Sequence, residues 1–372
     1  MKFSCEKYLL QSAVATASRA AAAKSSVPAL EGLLVEAGTD TVKVTGYDLK
    51  TGITTTIPAD VSSGGYLVLN ARLLGDIVRK LPDEILTVEV DDNYMTRIRS
   101  GMSDFEIVGT SADDYPELPS VESVSFVDIP GKILRSMISQ TCFAVSDNEA
   151  RPIHTGALFE IENGKLTMVA VDGYRLALRR EEIEGAGDTE CSFVVPGSAL
   201  SEVEKIAPDS DDKVRITLGA KHVVFTTEDT TLISRRLEGE FLNYKKSIPS
   251  VEKYTISVSA SDLIASVERV SLIISDRLKS PVRCTFGDGV IRLLTVTPLG
   301  RASDECSADG SAEDLEIGFN NRYLLDALKA VPADKVLIKL MSGISPCLIV
   351  PADDGDSFLY MILPVRLKAN EG

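Results

Sequence analysis

Two hydrophobic periodicities alternate along this chain, and the switch between them recurs. The run LVLNARLLGDIVRKLPDEILTVEV, from Leu67, opens as a short apolar strand. It passes into a stretch with apolar residues three and four apart, then returns to strict alternation after a proline. FVVPGSALSEVEKIAPDSDDKVRITL, from Phe193, and IGFNNRYLLDALKAVPADKVLIKL, from Ile317, repeat that order. Leu74, Ile77 and Leu81 correspond to Leu200, Val203 and Ala207, and then to Leu324, Ala327 and Val331. Such spacing puts the apolar residues on one buried helical face, and a proline just beyond stops the helix. These prolines, Pro82, Pro208 and Pro332, lie 126 and 124 residues apart.

The segments ahead of these runs repeat as well. FSCEKYLLQSAV, VDIPGKILRSMI and VSASDLIASV each pass from a strand into a helix. The pattern predicts helices over 6–20, 71–81, 131–140, 198–207, 261–271 and 321–331. Alternating runs around Gly-Thr-Asp, Glu-Asn-Gly and Gly-Asp-Gly predict β-hairpins between them. The 372 residues therefore read as three α+β copies of about 124 residues, rich in short antiparallel strands. Proline-, serine- and charge-rich linkers, SADDYPELPSVESVS and NYKKSIPSVEKYT, set the expected domains at 1–120, 121–250 and 251–372. The strand–helix–strands pattern occurs twice per copy, giving six similar units.

Charge changes the picture. The formal net charge is −16, which by itself repels phosphates. The predicted helices nevertheless hold eleven basic residues against seven acidic ones. Helices sharing one face would make that face basic and leave the exterior acidic, an arrangement that attracts a phosphate backbone locally. The six cysteines are scattered without a CxxC pair, as in a reduced protein. No apolar leader, no run long enough to span a bilayer and no lipidation signal is present, so a cytoplasmic protein without a membrane partner is expected.

The search for chemistry yields little. There are two histidines, His154 and His222, and no HExxH, phosphate-binding loop, dinucleotide fingerprint or GxSxG. The acidic stretch Asp209–Asp212 follows Pro208 and reads as a turn rather than a metal cluster. No catalytic residue, metal or cofactor is expected, and six similar units without a nucleophile or base describe a scaffold.

VDGYRLAL in the second copy, EFLNYKKSIP at the second linker and YMILPVRL at the end, set in three repeats, complete the pattern. Over its whole length the chain resembles the bacterial DNA polymerase III beta subunit family, the beta sliding clamps. The resemblance implies a DNA clamp fold: a head-to-tail homodimeric ring, helices lining the hole, antiparallel sheets outside. It implies sequence-independent encirclement of duplex DNA and no catalytic activity in this subunit of a nucleotidyltransferase holoenzyme. Lys24, Arg72, Arg79 and Lys80, with Asn148 and Arg151, are implied to face the DNA.

The resemblance also implies a hydrophobic pocket for linear peptide motifs of the polymerase catalytic subunit, clamp loader, ligase and repair polymerases. The matching positions are His154, Val171, Gly173, Tyr174, Arg175 and Leu176, then Leu242, Lys246, Ser247 and Ile248. Pro346, Met361, Ile362, Leu363, Pro364, Val365 and Arg366 complete the set. Of the closing run, Met361, Leu363 and Val365 are expected to share the groove face, with Arg366 at its border. Lys246, Leu242 and His154 stand where relatives commonly carry arginine, proline and leucine. Pro152 and Ile153 replace common aromatic residues. Such changes shift peptide preference, since lysine lacks the guanidinium fork. A β-rich ligand-binding or adhesion scaffold is the alternative, disfavoured by the absence of tryptophan and an aromatic content of only 6%.

Overall fold

The computed structural model describes residues 1–82, 84–122, 125–183, 190–275 and 280–367. Ser123 and Val124 of the first expected linker lie outside them. All six expected helices form: α1 Lys7–Ala17, α2 Ala71–Lys80, α3 Gly131–Ser139, α4 Gly197–Ile206, α6 Ala260–Ser271 and α7 Asn321–Lys329. A four-residue helix, α5 Tyr244–Ser247, is additional and too short to carry a periodic signal. Each long helix follows directly on a strand. Side-chain caps make several of these transitions sharp: Asn70 Oδ1 accepts the Leu73 N–H at 2.9 Å and Asn320 Oδ1 accepts that of Arg322 at 3.0 Å.

The strands form three antiparallel sheets. One has five strands, in the order Asp60–Ser63, Lys2–Glu6, Ile85–Val90, Met95–Ser100, Ser103–Val108. The second has eight: Ser125–Pro130, Lys213–Leu218, His222–Thr226, Thr230–Arg235, Thr51–Pro58, Thr41–Tyr47, Gly32–Ala37, Gly65–Asn70. The third has twelve. It begins Cys191–Pro196, Gly156–Glu162, Lys165–Val171, Arg175–Glu182, Phe358–Ile362, Cys347–Pro351, Lys335–Leu340. It continues Tyr254–Ser259, Gly300–Asp309, Val290–Thr297, Val282–Phe286, Leu315–Phe319. The hairpin turns are where the glycine and asparagine signals put them. Asn163 and Gly164 both take positive φ, as a type I′ turn requires.

Strand pairing runs across the sequence repeats. Thr51–Pro58 of the first repeat pairs with Thr230–Arg235 of the second. Arg175–Glu182 of the second pairs with Phe358–Ile362 of the third. The chain accordingly divides into two compact units, Met1–Arg135 with Ser201–Arg236, and Ser136–Leu200 with Leu237–Gly372. In the first unit α1 and α2 bury Leu10, Val14, Ala17, Leu74, Ile77 and Val78 against Phe3, Val35, Val44 and Val88 of the two sheets. Gly46 is required there, because a Cβ would stand 2.0 Å from the Ala17 carbonyl oxygen. In the second unit α6 and α7 bury Leu263, Val267, Leu324 and Leu328. No helix among the described residues is long and apolar enough to cross a membrane.

Candidate functional site

In an antiparallel ladder, residues directly opposite each other share a face. Leu176 lies opposite Met361, and Met361 opposite Leu348. Val171 lies opposite Leu176. These four residues therefore form one apolar row across the strands of the second unit, extended by Leu178, Val169 and Leu158 into a single cluster. Arg175 and Ile362 lie opposite each other one position along, on the other face of the same sheet. Of the residues expected to line a groove, Val171, Leu176 and Met361 thus share this buried row, whereas Ile362 is fully buried on the other face.

Residues 237–250 cross that row as a strap. The Leu237 N–H donates to the Val194 carbonyl at 3.0 Å, fixing its start. Phe241, Tyr244 and Ile248 pack into the apolar cluster. The buried Tyr244 donates its hydroxyl to Glu160 Oε2 at 2.6 Å, and Lys245 Nζ reaches the same oxygen at 2.9 Å. Burial works to raise the Glu160 pKa, but these two donors outweigh it and hold the carboxyl below its ordinary range. Burial, then the Glu160 hydrogen bond and charge, push the Tyr244 phenol up. Asn243 caps α5, its Oδ1 accepting the Lys246 N–H at 3.3 Å.

The other expected residues are half-buried or exposed. His154 meets the Phe241 ring edge to face, centroids 5.7 Å apart. Partial burial, then the Arg151 charge, keep its pKa below the ordinary histidine value. Leu242 and Lys246 are exposed; Ser247, Ile248 and Pro346 are half-buried. The turn ahead of Arg175 is built by Asp172, whose Oδ1 accepts the N–H groups of Tyr174 and Arg175 at 2.8 and 3.0 Å. Gly173 supplies the positive φ of 93°. Tyr174 projects outward and stacks on Tyr323, and its carbonyl accepts the Leu363 N–H at 2.8 Å.

Regular pairing of the closing strand ends at Ile362. Leu363 is therefore an exposed rim residue, and the chain then turns along Leu315–Phe319, where Val365 bridges Gly318. Pro364 and Val365 are half-buried there and Arg366 is exposed. The strict alternation expected of Met361, Leu363 and Val365 stops at Pro364, which has no N–H for a ladder.

Arg175 sits among rings and carboxylates. Its guanidinium lies 4.5 Å from the Tyr323 ring centroid and 5.4 Å from that of Phe143. It is ion-paired with Asp172 at 2.9 Å and Asp326 at 2.5 Å. It ties α7 to the turn carrying Tyr174, from beneath the rim. The sequence did not point to Phe241, Tyr244 or Asp172. The Asp-Gly of VDGY is the readable signal for the last of these.

A cavity of about 580 Å³ lies beside the strap, shared by Leu178, Leu348, Val350, Leu359 and Ile248. Its charged lining is internally paired, Arg180 with Asp356 at 2.6 Å and Lys339 with Asp354 at 2.7 Å.

The expected basic residues occupy exposed positions. In α2, Arg72, Arg79 and Lys80 point away from the buried Leu74–Ile77–Val78 side, and Arg79 pairs with Asp76 one turn back. Between α1 and α2 lies a groove of about 650 Å³ with small residues at its base, Ala15, Ser18, Ala22 and Gly75, and with Arg72 and Arg79 in its lining. Lys24 is exposed in the loop after α1. In the second unit Asn148 and Arg151 form an exposed turn, the Arg151 N–H donating to the Asn148 carbonyl at 3.2 Å. Asp211, of the acidic stretch, pairs with Lys132 at 2.8 Å. Among the described residues no His, Cys, Asp and Glu cluster is arranged to hold a metal ion.

Three family models match the chain in succession: the N-terminal domain of the DNA polymerase III beta subunit over 1–119, its central domain over 128–243 and its C-terminal domain over 245–366. The fold is thus an α+β protein of three clamp domains. The beta sliding clamp of Halalkalibacterium halodurans is 33% identical, over 98% of this chain and 100% of that protein. The Bacillus subtilis beta sliding clamp is 32% identical over 98% and 100%. A crystal structure of the DNA polymerase sliding clamp from Bacillus subtilis superposes with a TM-score of 0.95, at 32% identity, over 99% of this chain and 100% of that one. The chain belongs to the bacterial DNA polymerase III beta subunit family, the beta sliding clamps.

Proposed function

We propose that this sliding clamp acts without catalytic residues, as a cytoplasmic, ring-forming processivity factor made of domains 1–120, 121–250 and 251–372. It encircles duplex DNA and tethers partners by short peptides docked on the strap-covered surface of the second unit. One observation carries the docking reading: the Val171–Leu176–Met361 row runs out to an exposed Leu363, whose N–H donates to the Tyr174 carbonyl. An apolar well with few polar fixers suits the leucine and phenylalanine anchors of a linear motif. Partners of this kind are the polymerase catalytic subunit, the clamp loader, ligase and repair polymerases.

Lys24, Arg72, Arg79, Lys80, Asn148 and Arg151 serve as diffuse phosphate contacts. Mobile cations exchange between phosphates without reading bases, which suits sliding. A head-to-tail homodimer is supported by open sheet edges. The strand Ser103–Val108 ends the five-stranded sheet and exposes Phe105 and Val108. In the second unit the strand Gly300–Asp309 pairs with Tyr254–Ser259 through Ala308 and Asp309 alone among the described residues, which leaves Gly300–Ser307 open on that side, with Leu299 exposed beside it. Unpaired edges of this kind are templates for another chain.

The test is topological. Loaded onto nicked circular DNA by a clamp loader, the protein should stay bound through a high-salt wash and leave when the circle is linearised. Equal release from circular and linear DNA would remove the encirclement reading.

A further inference from the structure

The first unit contains a structural counterpart of the docking surface, altered in one consistent way. Asp48 Oδ1 accepts the N–H groups of Lys50 and Thr51 at 2.9 and 2.7 Å, as Asp172 does for Tyr174 and Arg175. Leu49 takes a positive φ of 71° where Gly173 takes 93°. The Lys50 carbonyl accepts the Arg235 N–H at 3.1 Å, as that of Tyr174 accepts the Leu363 N–H. Lys50 therefore stands in the place of Tyr174, and Arg235 in that of Leu363.

The apolar well between them is closed. Gly52, opposite Ile233, stands where Leu176 stands opposite Met361. Leu118 of the first linker fills that space: a Cβ on Gly52 would meet its Cδ2 at 2.9 Å.

What remains outside is positive. Arg235 lies opposite His222. Arg236 holds the neighbouring hairpin end, donating its N–H to the Lys221 carbonyl at 2.9 Å and Nη1 to that of Gly219 at 2.9 Å. Burial, then Arg235 and Lys221, hold the His222 pKa down, so both cations sit close to it. Lys50, Lys221 and Arg235 are exposed, and none has a carboxylate ion-pair partner among the described residues. Asp48, in the same turn, accepts two backbone N–H groups but keeps its negative charge, so three cations face one carboxylate and the place stays net positive. Like charges gathered across adjacent strands destabilise a sheet. A net positive place with three cations outside any ion pair, in a chain of net charge −16, therefore suits an external anion.

We infer that Lys50, Lys221 and Arg235, around the plugged well, form a second contact for the phosphate backbone of duplex nucleic acid, separate from the helix-borne residues. The inference rests on the DNA reading above. A backbone needs cations on a flat surface and no anchor well. The rings at this place, Tyr47 and Tyr115, are buried, so none is available to stack an unpaired base.

The test compares the intact chain, K50A/R235A, K50E/R235E and R72E/R79E in anisotropy titrations with a linear duplex between 50 and 200 mM salt. Removing two phosphate contacts should lower the slope of log K against log salt by about 2 in K50A/R235A, and at least as much in K50E/R235E. R72E/R79E should fall independently. An unchanged slope in both patch variants, with R72E/R79E reduced, overturns the second contact and leaves the helix reading standing. Unchanged slopes in all three remove both. A polyglutamate peptide is the parallel probe. If the patch variants lose polyglutamate binding while keeping the duplex slope, the partner is an acidic polypeptide and the inference is wrong. The alanine pair guards against misfolding of the reversed one, and matched melting curves verify it.

Discussion

Tyr244 donates its hydroxyl to Glu160 at 2.6 Å, across 84 residues of sequence. This bond pins the strap to the face of the sheet that carries the Leu176–Met361 row, and Phe241 and Ile248 are held over that row as a result. Tyr244→Phe keeps the ring and deletes the donor. A hydrogen bond to a charged group contributes about 1.5–3 kcal/mol. Because Lys245 still reaches Glu160, the lower end is expected, as faster hydrogen exchange in 237–250 with little change in α1 or α2. Uniform exchange acceleration throughout the second unit would contradict a local pin.

Acid should loosen the same strap. The folded pKa of Glu160 is held below its ordinary value, so its contribution is complete above the unfolded value, about 4.3, and is lost as pH falls through the folded one. The stability gap between the native chain and Glu160→Gln should therefore be flat from neutral pH to about 5 and shrink below about 4. Urea unfolding of both proteins across that range measures it. A gap that persists unchanged into acid would mean that the charge of Glu160 does not matter.

Leu363 and Met361 separate docking from packing. Leu363 is 36% exposed and Met361 8%. Leu363→Ala should change stability by no more than about 0.5 kcal/mol yet weaken a polymerase-derived peptide roughly tenfold or more. Met361→Ala should cost about 2–5 kcal/mol of stability by leaving a cavity. Calorimetry with the peptide, beside denaturation curves, tells them apart. Undiminished affinity in Leu363→Ala would place the peptide elsewhere.

The exposed Phe105 and Val108 on the edge strand Ser103–Val108 should govern assembly. Sedimentation velocity at micromolar concentration should show a dimer for the native chain and a monomer for F105D/V108D. A variant that remains dimeric would mean that this edge is not the interface.

The helices and hairpins were legible because each carries a local signal. Apolar spacing marks α2 and α7, their asparagine caps mark the starts, and Asn163-Gly164 marks a turn. The faces of the closing strand were not. Its run is apolar at every position, because Met361 packs under the strap and Ile362 into the opposite core. A strand buried on both sides has no alternation to read. Arg175 is placed among the pocket positions by the resemblance alone; register sets it opposite Ile362, where it pairs with Asp326. Tyr244 resembled an ordinary linker residue, because its partner Glu160 is remote in sequence.

The ladders Thr51–Pro58 with Thr230–Arg235 and Arg175–Glu182 with Phe358–Ile362 also bear on how such a chain can be shuffled. A chimera that exchanges the middle repeat with a relative severs both native pairings, and one that exchanges an end repeat severs one, so each must rebuild a ladder from mismatched strands. Crossovers near 135, 200 and 236 instead move complete sheets. In this molecule the compact units share the middle repeat between them, so the unit of duplication and the unit of packing differ. Recombination that follows the second should yield folded hybrids where recombination that follows the first does not.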